Sequence, residues 1–184
     1  ESYTGYSGRL ERKKAFNGAL IVDDTYNANP DSVRAALKAI SMLPRPHWFI
    51  FADLKELGSG ELDFHREIGE QIQKDGIDHL LTVGSLAKHA AEYFNGTKIH
   101  FESNQDIVKY CLSELPKSGT LLIKGSHSMR LNEVADQFVD RERLQPQLFA
   151  EVLLKRRESP PRVLLVPLAP GERLGQLNPR SLEA

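Results

Sequence analysis

The sequence predicts an α/β fold, a mostly parallel sheet with helices on both faces. Three observations carry that expectation. Short apolar runs recur at residues 19–22, 48–52, 79–83, 98–101 and 120–123, each the length of a buried strand. The segments between them carry apolar residues at helical spacing. The two patterns alternate along the chain, and strand–helix alternation of this kind builds parallel sheets.

The elements follow in order. The run Ala19-Leu20-Ile21-Val22 reads as a strand, and Val33, Ala36, Leu37 and Ile40 share one face of a helix running to Leu43. Asn29 or Asp31 can cap that helix, and Pro30 suits its first turn, where a missing N–H costs nothing. After the strand at 48–52, Leu62, Ile68 and Ile72 mark a less regular helix. Leu86, Ala87, Ala90, Ala91 and Phe94 mark the next, and Ile107, Val108, Cys111, Leu112 and Leu115 a fourth. Leu131, Val134, Ala135 and Phe138 follow the last strand. These stripes read as core and say nothing about function.

The two ends differ from this middle. Residues 1–18 are polar and carry Gly5, Gly8 and Gly18; within them Ser7-Gly8-Arg9-Leu10-Glu11-Arg12 suits a short lead-in strand or linker. Residues 141–157 suit one more helix, ending in the solvated basic run Lys155-Arg156-Arg157, and Ser159-Pro160-Pro161 breaks it. Residues 163–168 make at best an edge strand because of Pro167, and residues 170–184 read as a loose tail. The expected division is a lead-in at 1–18, one α/β domain at 19–140 and an extension at 141–184.

Bulk composition narrows the function classes. The 184 residues are 40% hydrophobic and 27% charged with a net charge of −1, as in an ordinary globular domain with no field to draw nucleic acid or membrane. The single Cys111 cannot form an internal disulfide, which suits a reducing, cytoplasmic setting. No apolar run approaches the ~20 residues of a membrane span, and no signal segment opens the chain. The start at Glu1 is what an excised or processed piece would show.

Polar groups collect at the strand ends, where open α/β sheets bind ligands. The first set is Asp23-Asp24-Thr25-Tyr26-Asn27-Ala28-Asn29-Pro30-Asp31-Ser32, richer in polar groups than a cap requires. A carboxylate such as Asp24 can accept both hydroxyls of a ribose, and Asn27 and Asn29 offer amides to a base or a peptide. The second is Asp53-Leu54-Lys55-Glu56-Leu57-Gly58, for which a solvated loop ion pair is the plainer reading. The third is Lys124-Gly125-Ser126-His127-Ser128-Met129-Arg130, a glycine-bearing turn before a helix with two cations and two hydroxyls. Such a turn suits a carboxylate or a single phosphate.

Other chemistries fit poorly. Gly-x-x-x-x-Gly-Lys-Ser/Thr occurs nowhere in the chain, so there is no nucleotide P-loop. The six His lack metal-ligand spacing; His65 and His127 lie near the polar sets, while His47, His79, His89 and His100 read as surface or strand-edge residues. No Gly-x-Ser-x-Gly elbow is present, and the aromatics show no RNA-stacking pattern.

The three polar sets, together with Ser7-Gly8-Arg9-Leu10-Glu11 and His65-Arg66-Glu67-Ile68-Gly69, resemble the carboxyl-terminal domain of the Mur ligases, in order and at the family's spacing over about residues 5–140. Tyr26-Asn27-Ala28-Asn29-Pro30 resembles the members that add D-Ala-D-Ala to a UDP-MurNAc-tripeptide. The resemblance implies a Rossmann-like fold and a place in an ATP- and Mg2+-dependent, amide-forming ligase of peptidoglycan synthesis. In that family the P-loop and metal ligands belong to a central domain and the UDP-sugar to a first domain, so the resemblance implies no catalytic residue and no metal ligand here. It implies a nucleotide set of Arg9, Asp24, Tyr26, Asn27 and Asn29, with Asp24 on the ribose. It implies a dipeptide set of Lys124, Ser126, His127, Ser128 and Arg130, with Asp53, Lys55 and His65 in matching motifs. Four positions depart from the pattern: Ala52 and Leu54 stand for the usual Gly and Met, His127 for Arg and Asn132 for Glu. Losing the guanidinium at 127 removes a fixed cation. The alternative expectation is a non-catalytic binding module that keeps the fold.

Overall fold

The computed structural model describes residues 7–139. The helix expected at 141–157, the edge strand at 163–168 and the tail at 170–184 lie outside the described residues. Six strands form one sheet: β1 (Glu11–Lys14), β2 (Leu20–Asp24), β3 (His47–Ala52), β4 (His79–Val83), β5 (Thr97–Phe101) and β6 (Thr120–Lys124). Among the described residues four α-helices connect strands, α1 (Pro30–Ile40), α2 (Glu61–Lys74), α3 (Ala87–Glu92) and α4 (Asn104–Glu114), and α5 (Leu131–Val139) follows β6. The strand order is β1-β2-β6-β3-β4-β5, with β1 antiparallel to β2 and every other pair parallel.

Two apolar layers sandwich the sheet. On one face Val33, Ala36, Leu37 and Ile40 of α1 join Ile68 and Ile72 of α2 and Ala87, Ala90 and Ala91 of α3 over Val22, Phe49, Phe51 and Leu122. On the other, Ile107 and Cys111 of α4 and Leu131, Val134 and Phe138 of α5 cover Ile21, Ile50, Leu121 and Ile123. The central strands are therefore apolar on both sides, which is why they read as continuous runs.

Strand β1 begins at Glu11 and carries no apolar run. An edge strand needs none: its residues alternate half-buried and exposed, and Lys13 Nζ meets Asp23 Oδ2 at 2.7 Å. Helix α1 ends at Ile40, one turn before the expected Leu43. His47, expected at the surface or a strand edge, is fully buried at the start of β3, with Nε2 3.0 Å from the Leu43 carbonyl oxygen.

Helices α2 and α3 approach closely at Gly69, where a Cβ would lie 2.2 Å from the Ala90 carbonyl oxygen. That approach seats α3 with its first amides over Asp53.

Candidate functional site

Strands β2, β6 and β3 are neighbours, so the polar loops that follow them meet at one edge of the sheet. Asp24 and Lys124 are register partners on adjacent parallel strands. Their side chains share a face, and Lys124 Nζ lies 2.6 Å from Asp24 Oδ2. The same ammonium donates to the Asn27 carbonyl oxygen at 2.9 Å and reaches the Asp24 carbonyl oxygen at 3.5 Å. Lys124 is 1% exposed, and burial, helped by the charge of Arg9, pulls its ammonium below the usual lysine range against the pull of Asp24.

The β2–α1 loop is held from inside. Asp23 Oδ1 accepts from the Thr25 amide at 3.2 Å and hydroxyl at 2.7 Å, and Asp24 Oδ1 accepts from the Leu10 amide at 3.1 Å. Gly8 has φ +70°, and a Cβ there would press on Tyr26 N at 3.1 Å; its carbonyl instead accepts from the Tyr26 amide. The Tyr26 ring stands out of the loop, 53% exposed, with the Arg9 guanidinium carbon 4.2 Å from its centroid. Asn29 serves as the N-cap of α1: its Oδ1 accepts from the Ser32 amide at 2.8 Å, and its own amide donates to Ser32 Oγ at 2.9 Å.

In the β3–α2 loop, three successive residues are tied to three different elements. Asp53 Oδ1 accepts from the Leu86 and Ala87 amides at 2.9 and 2.8 Å, at the start of α3, and Oδ2 from Lys55 Nζ at 2.9 Å. Burial pushes this carboxyl up, but those three hydrogen bonds more than reverse it, leaving it below the usual carboxylate range. Gly84 makes room for the arrangement, since its Cβ would lie 2.3 Å from Asp53 Oδ1. The Leu54 amide donates to His65 Nε2 at 3.0 Å. The Lys55 amide donates to Ser126 Oγ at 2.7 Å, across to the β6–α5 loop. The Ser126 amide in turn donates to the Asp53 carbonyl oxygen at 3.0 Å.

These loops enclose an open cleft of about 430 Å³ lined by Tyr26, Asn27, Lys55, Glu56, Ser126, His127 and Ser128. Six of these are residues the sequence singles out. Asp24, Lys124 and Asp53 lie beneath the cleft as supports, and Arg9 sits over Tyr26. Asn29 is engaged as a cap, and the Arg130 guanidinium, in a residue with φ 54°, pairs with Glu133. His65 is buried behind the β3–α2 loop. Glu56 was the residue not assigned to the site. Its φ of 67° turns the chain into the left-handed region at the cleft wall, which its place in the Asp-Leu-Lys-Glu run does not reveal.

Chemically the cleft lining offers hydroxyls, an amide, a lysine, an imidazole and a carboxylate, drawn from three loops. Ser126 Oγ already accepts the Lys55 amide, so its proton points elsewhere and is available to an acceptor in the cleft. Asp24 Oδ1 and Oδ2 are engaged by the Leu10 amide and the Lys124 ammonium, and its side chain is 12% exposed. Among the described residues no three His, Cys, Asp or Glu side chains gather as a metal cage, and no helix is long and apolar enough to cross a membrane.

Comparison with known proteins gives consistent matches. The family model "Mur ligase, glutamate ligase domain" matches residues 8–127. The UDP-N-acetylmuramoyl-tripeptide–D-alanyl-D-alanine ligase of Bacillus subtilis is 31% identical over 139 residues, covering 72% of this chain and 30% of that protein. The ligase of the same name from Escherichia coli is 32% identical over 130 residues, covering 69% of this chain and 28% of that protein. Among solved structures, MurF ligase from Thermotoga maritima in complex with ADP superposes with a TM-score of 0.63 at 26% identity, over 84% of this chain and 33% of that one. MurF from Acinetobacter baumannii gives 0.64 at 27% identity, over 72% of this chain and 30% of that one. The chain thus spans about 30% of the length of the curated relatives it matches.

Proposed function

Since the chain belongs to the Mur ligase family, through its glutamate ligase domain, we propose that it is the carboxyl-terminal part of an ATP-dependent amide-forming ligase of peptidoglycan synthesis, the one that adds D-Ala-D-Ala to UDP-MurNAc-tripeptide. In that reaction ATP phosphorylates the tripeptide carboxylate. The dipeptide amine attacks the acyl phosphate, the amide C–N bond forms, and phosphate leaves with the C–O electron pair while the amine gives up a proton. The supporting observation is the cleft at the junction of the β2, β3 and β6 loops. It places hydroxyl donors and a carboxylate in one space, the complement of a small zwitterion.

The residue roles we propose combine the family's pattern with the residues that line the cleft. Ser126, Ser128, His127 and Lys55 offer donors to the dipeptide carboxylate, and Glu56 offers an acceptor to its ammonium. Lys124 contributes from below by holding the Asp24–Asn27 segment in place. Asp24 accepts the nucleotide ribose and Tyr26, with Arg9 on its face, borders the adenosine. When bound, the nucleotide with Mg2+ supplies the phosphoryl group. The chain lacks a Gly-x-x-x-x-Gly-Lys-Ser/Thr cradle, so it turns over no ATP by itself and depends on first and central domains for the UDP-sugar and the phosphates. Because β1 pairs with β2, we place the start of the α/β domain ahead of Glu11 rather than at residue 19, its end near residue 140, and the working compartment in the cytoplasm. His127 in place of arginine favours a second reading, a non-catalytic module with the same cleft, because a neutral imidazole brings less charge to a carboxylate.

The test is an amide NMR titration of the 184-residue chain with D-Ala-D-Ala and then ADP. A half-site open to solvent is expected to bind at millimolar level, about 4 kcal/mol. Shifts at Tyr26, Asn27, Lys55, Ser126 and Ser128 support the ligase reading. No shift there at saturating ligand overturns it, and ligation by the chain alone would overturn its dependence on the first and central domains.

A further inference from the structure

His65 touches nothing in the cleft, yet it is fully buried and both ring nitrogens are engaged. Nδ1 lies 2.6 Å from the Glu61 carbonyl oxygen and Nε2 3.0 Å from the Leu54 amide nitrogen. A carbonyl only accepts and a backbone amide only donates. The ring is therefore neutral, with its proton on Nδ1. Burial holds it below the usual histidine range, against the raising pull of the Glu61 carbonyl and of Asp53 and Glu61. The charged or titratable groups around it are Asp53 on the β3–α2 loop, Glu61 on its own helix α2 and His89 on α3, and the Phe51 ring of β3 closes the remaining side.

Leu54 is the middle residue of the three-residue tie. Lys55 follows it, and the Lys55 amide is what fixes Ser126 Oγ as an acceptor and turns the hydroxyl proton outward. A proton added at Nε2 would set two donors against each other at 3.0 Å. The Leu54 amide would then have to swing away, and the Lys55–Ser126 contact would shift with it.

We propose that neutral His65 is a positioning residue: it aligns the Leu54–Lys55 backbone so that Ser126 presents its hydroxyl proton to the cleft. The alignment stands on this structure alone, and its consequence for D-Ala-D-Ala rests on the reading under Proposed function.

The test uses the 15N-labelled 184-residue chain and two variants. His65→Gln keeps an acceptor within reach of the Leu54 amide but cannot titrate. His65→Phe keeps an aromatic ring and loses the acceptor. At pH 8 the amide signals of Lys55 and Ser126 should stay in place in His65→Gln and move in His65→Phe. Affinity for D-Ala-D-Ala should be rescued by glutamine and weakened about tenfold by phenylalanine, the effect of one lost hydrogen bond. In the native protein, as pH falls well below the usual histidine value of about 6.5, the Lys55 and Ser126 amides should move with the His65 ring, and in His65→Gln they should not. Equal effects of the two variants at pH 8, or a ring spectrum showing the proton on Nε2, would overturn the assignment. If D-Ala-D-Ala shifts nothing in any of the three proteins, the dipeptide reading fails, and the Lys55 and Ser126 amides alone decide the role of His65.

Discussion

Lys124 Nζ and Asp24 Oδ2 meet at 2.6 Å under the cleft floor, with the lysine side chain 1% exposed and the aspartate 12%. A buried pair of this kind is expensive to break from one side, because the surviving charge has no partner. Lys124→Met should lower stability by about 3 kcal/mol or more in urea unfolding. Adding Asp24→Asn should recover part of that loss, since the stranded carboxylate is gone. A loss that grows instead would show that the two side chains do not act as a pair.

Asp53 makes stability depend on acid. Its carboxyl titrates below the usual range in the fold, so below about pH 4 the unfolded chain binds the proton first. The stabilisation is complete above about pH 4 and is lost as pH falls through the folded value. Thermal melts of Asp53→Asn should be lower than native at pH 7 and less steep in pH below 4. Parallel melting curves across that range would exclude Asp53 as the source.

Two glycines should respond differently to alanine. At Gly69 the added methyl would lie 2.2 Å from the Ala90 carbonyl oxygen, between two helices that cannot both stay where they are. Gly69→Ala should cost at least about 2 kcal/mol. At Gly58 there is open space and only the left-handed backbone, φ +69°, opposes a side chain. Gly58→Ala should cost about 1 kcal/mol. Urea midpoints in the reverse order would contradict the close approach of α2 and α3.

Cys111 lies fully buried in α4, and burial pushes its thiol far above the usual range. A thiol reagent should label nothing in the native protein and one group per chain after denaturation, at a rate set by opening of the fold. Prompt labelling at neutral pH would mean that α4 does not cover it.

Much of this architecture is legible in the residues. The five parallel strands announce themselves as apolar runs because both of their faces are covered, and Asn29 and Pro30 mark the start of α1. Strand β1 is harder to see, because an edge strand of Glu, Arg and Lys has no apolar signature. The cleft-lining residues stand out as polar groups after strands. Their division into liners and supports does not, because it depends on partners far away in sequence. Lys124 reads as a cation offered to an anion at the turn, and only its pairing with Asp24, a hundred positions earlier, turns it inward. His65 reads as a motif residue near the site; that it holds a loop from behind follows from α2 packing across Leu54. Asn29 illustrates the reverse, a residue rich in possible functions that is absorbed by a cap.

Among the described residues strand β6 is the last in sequence, and it sits between β2 and β3 in the sheet. A chain still emerging from the ribosome therefore cannot join its two half-sheets until residues 120–124 are available. Until then β2 and β3 each offer a bare hydrogen-bonding edge, and the three loops of the cleft have no common place to meet. Because these pairings join residues 73 and 100 positions apart, they close slowly. Insertion of one five-residue strand therefore joins the half-sheets, buries Lys124 and brings the cleft loops together in one late event.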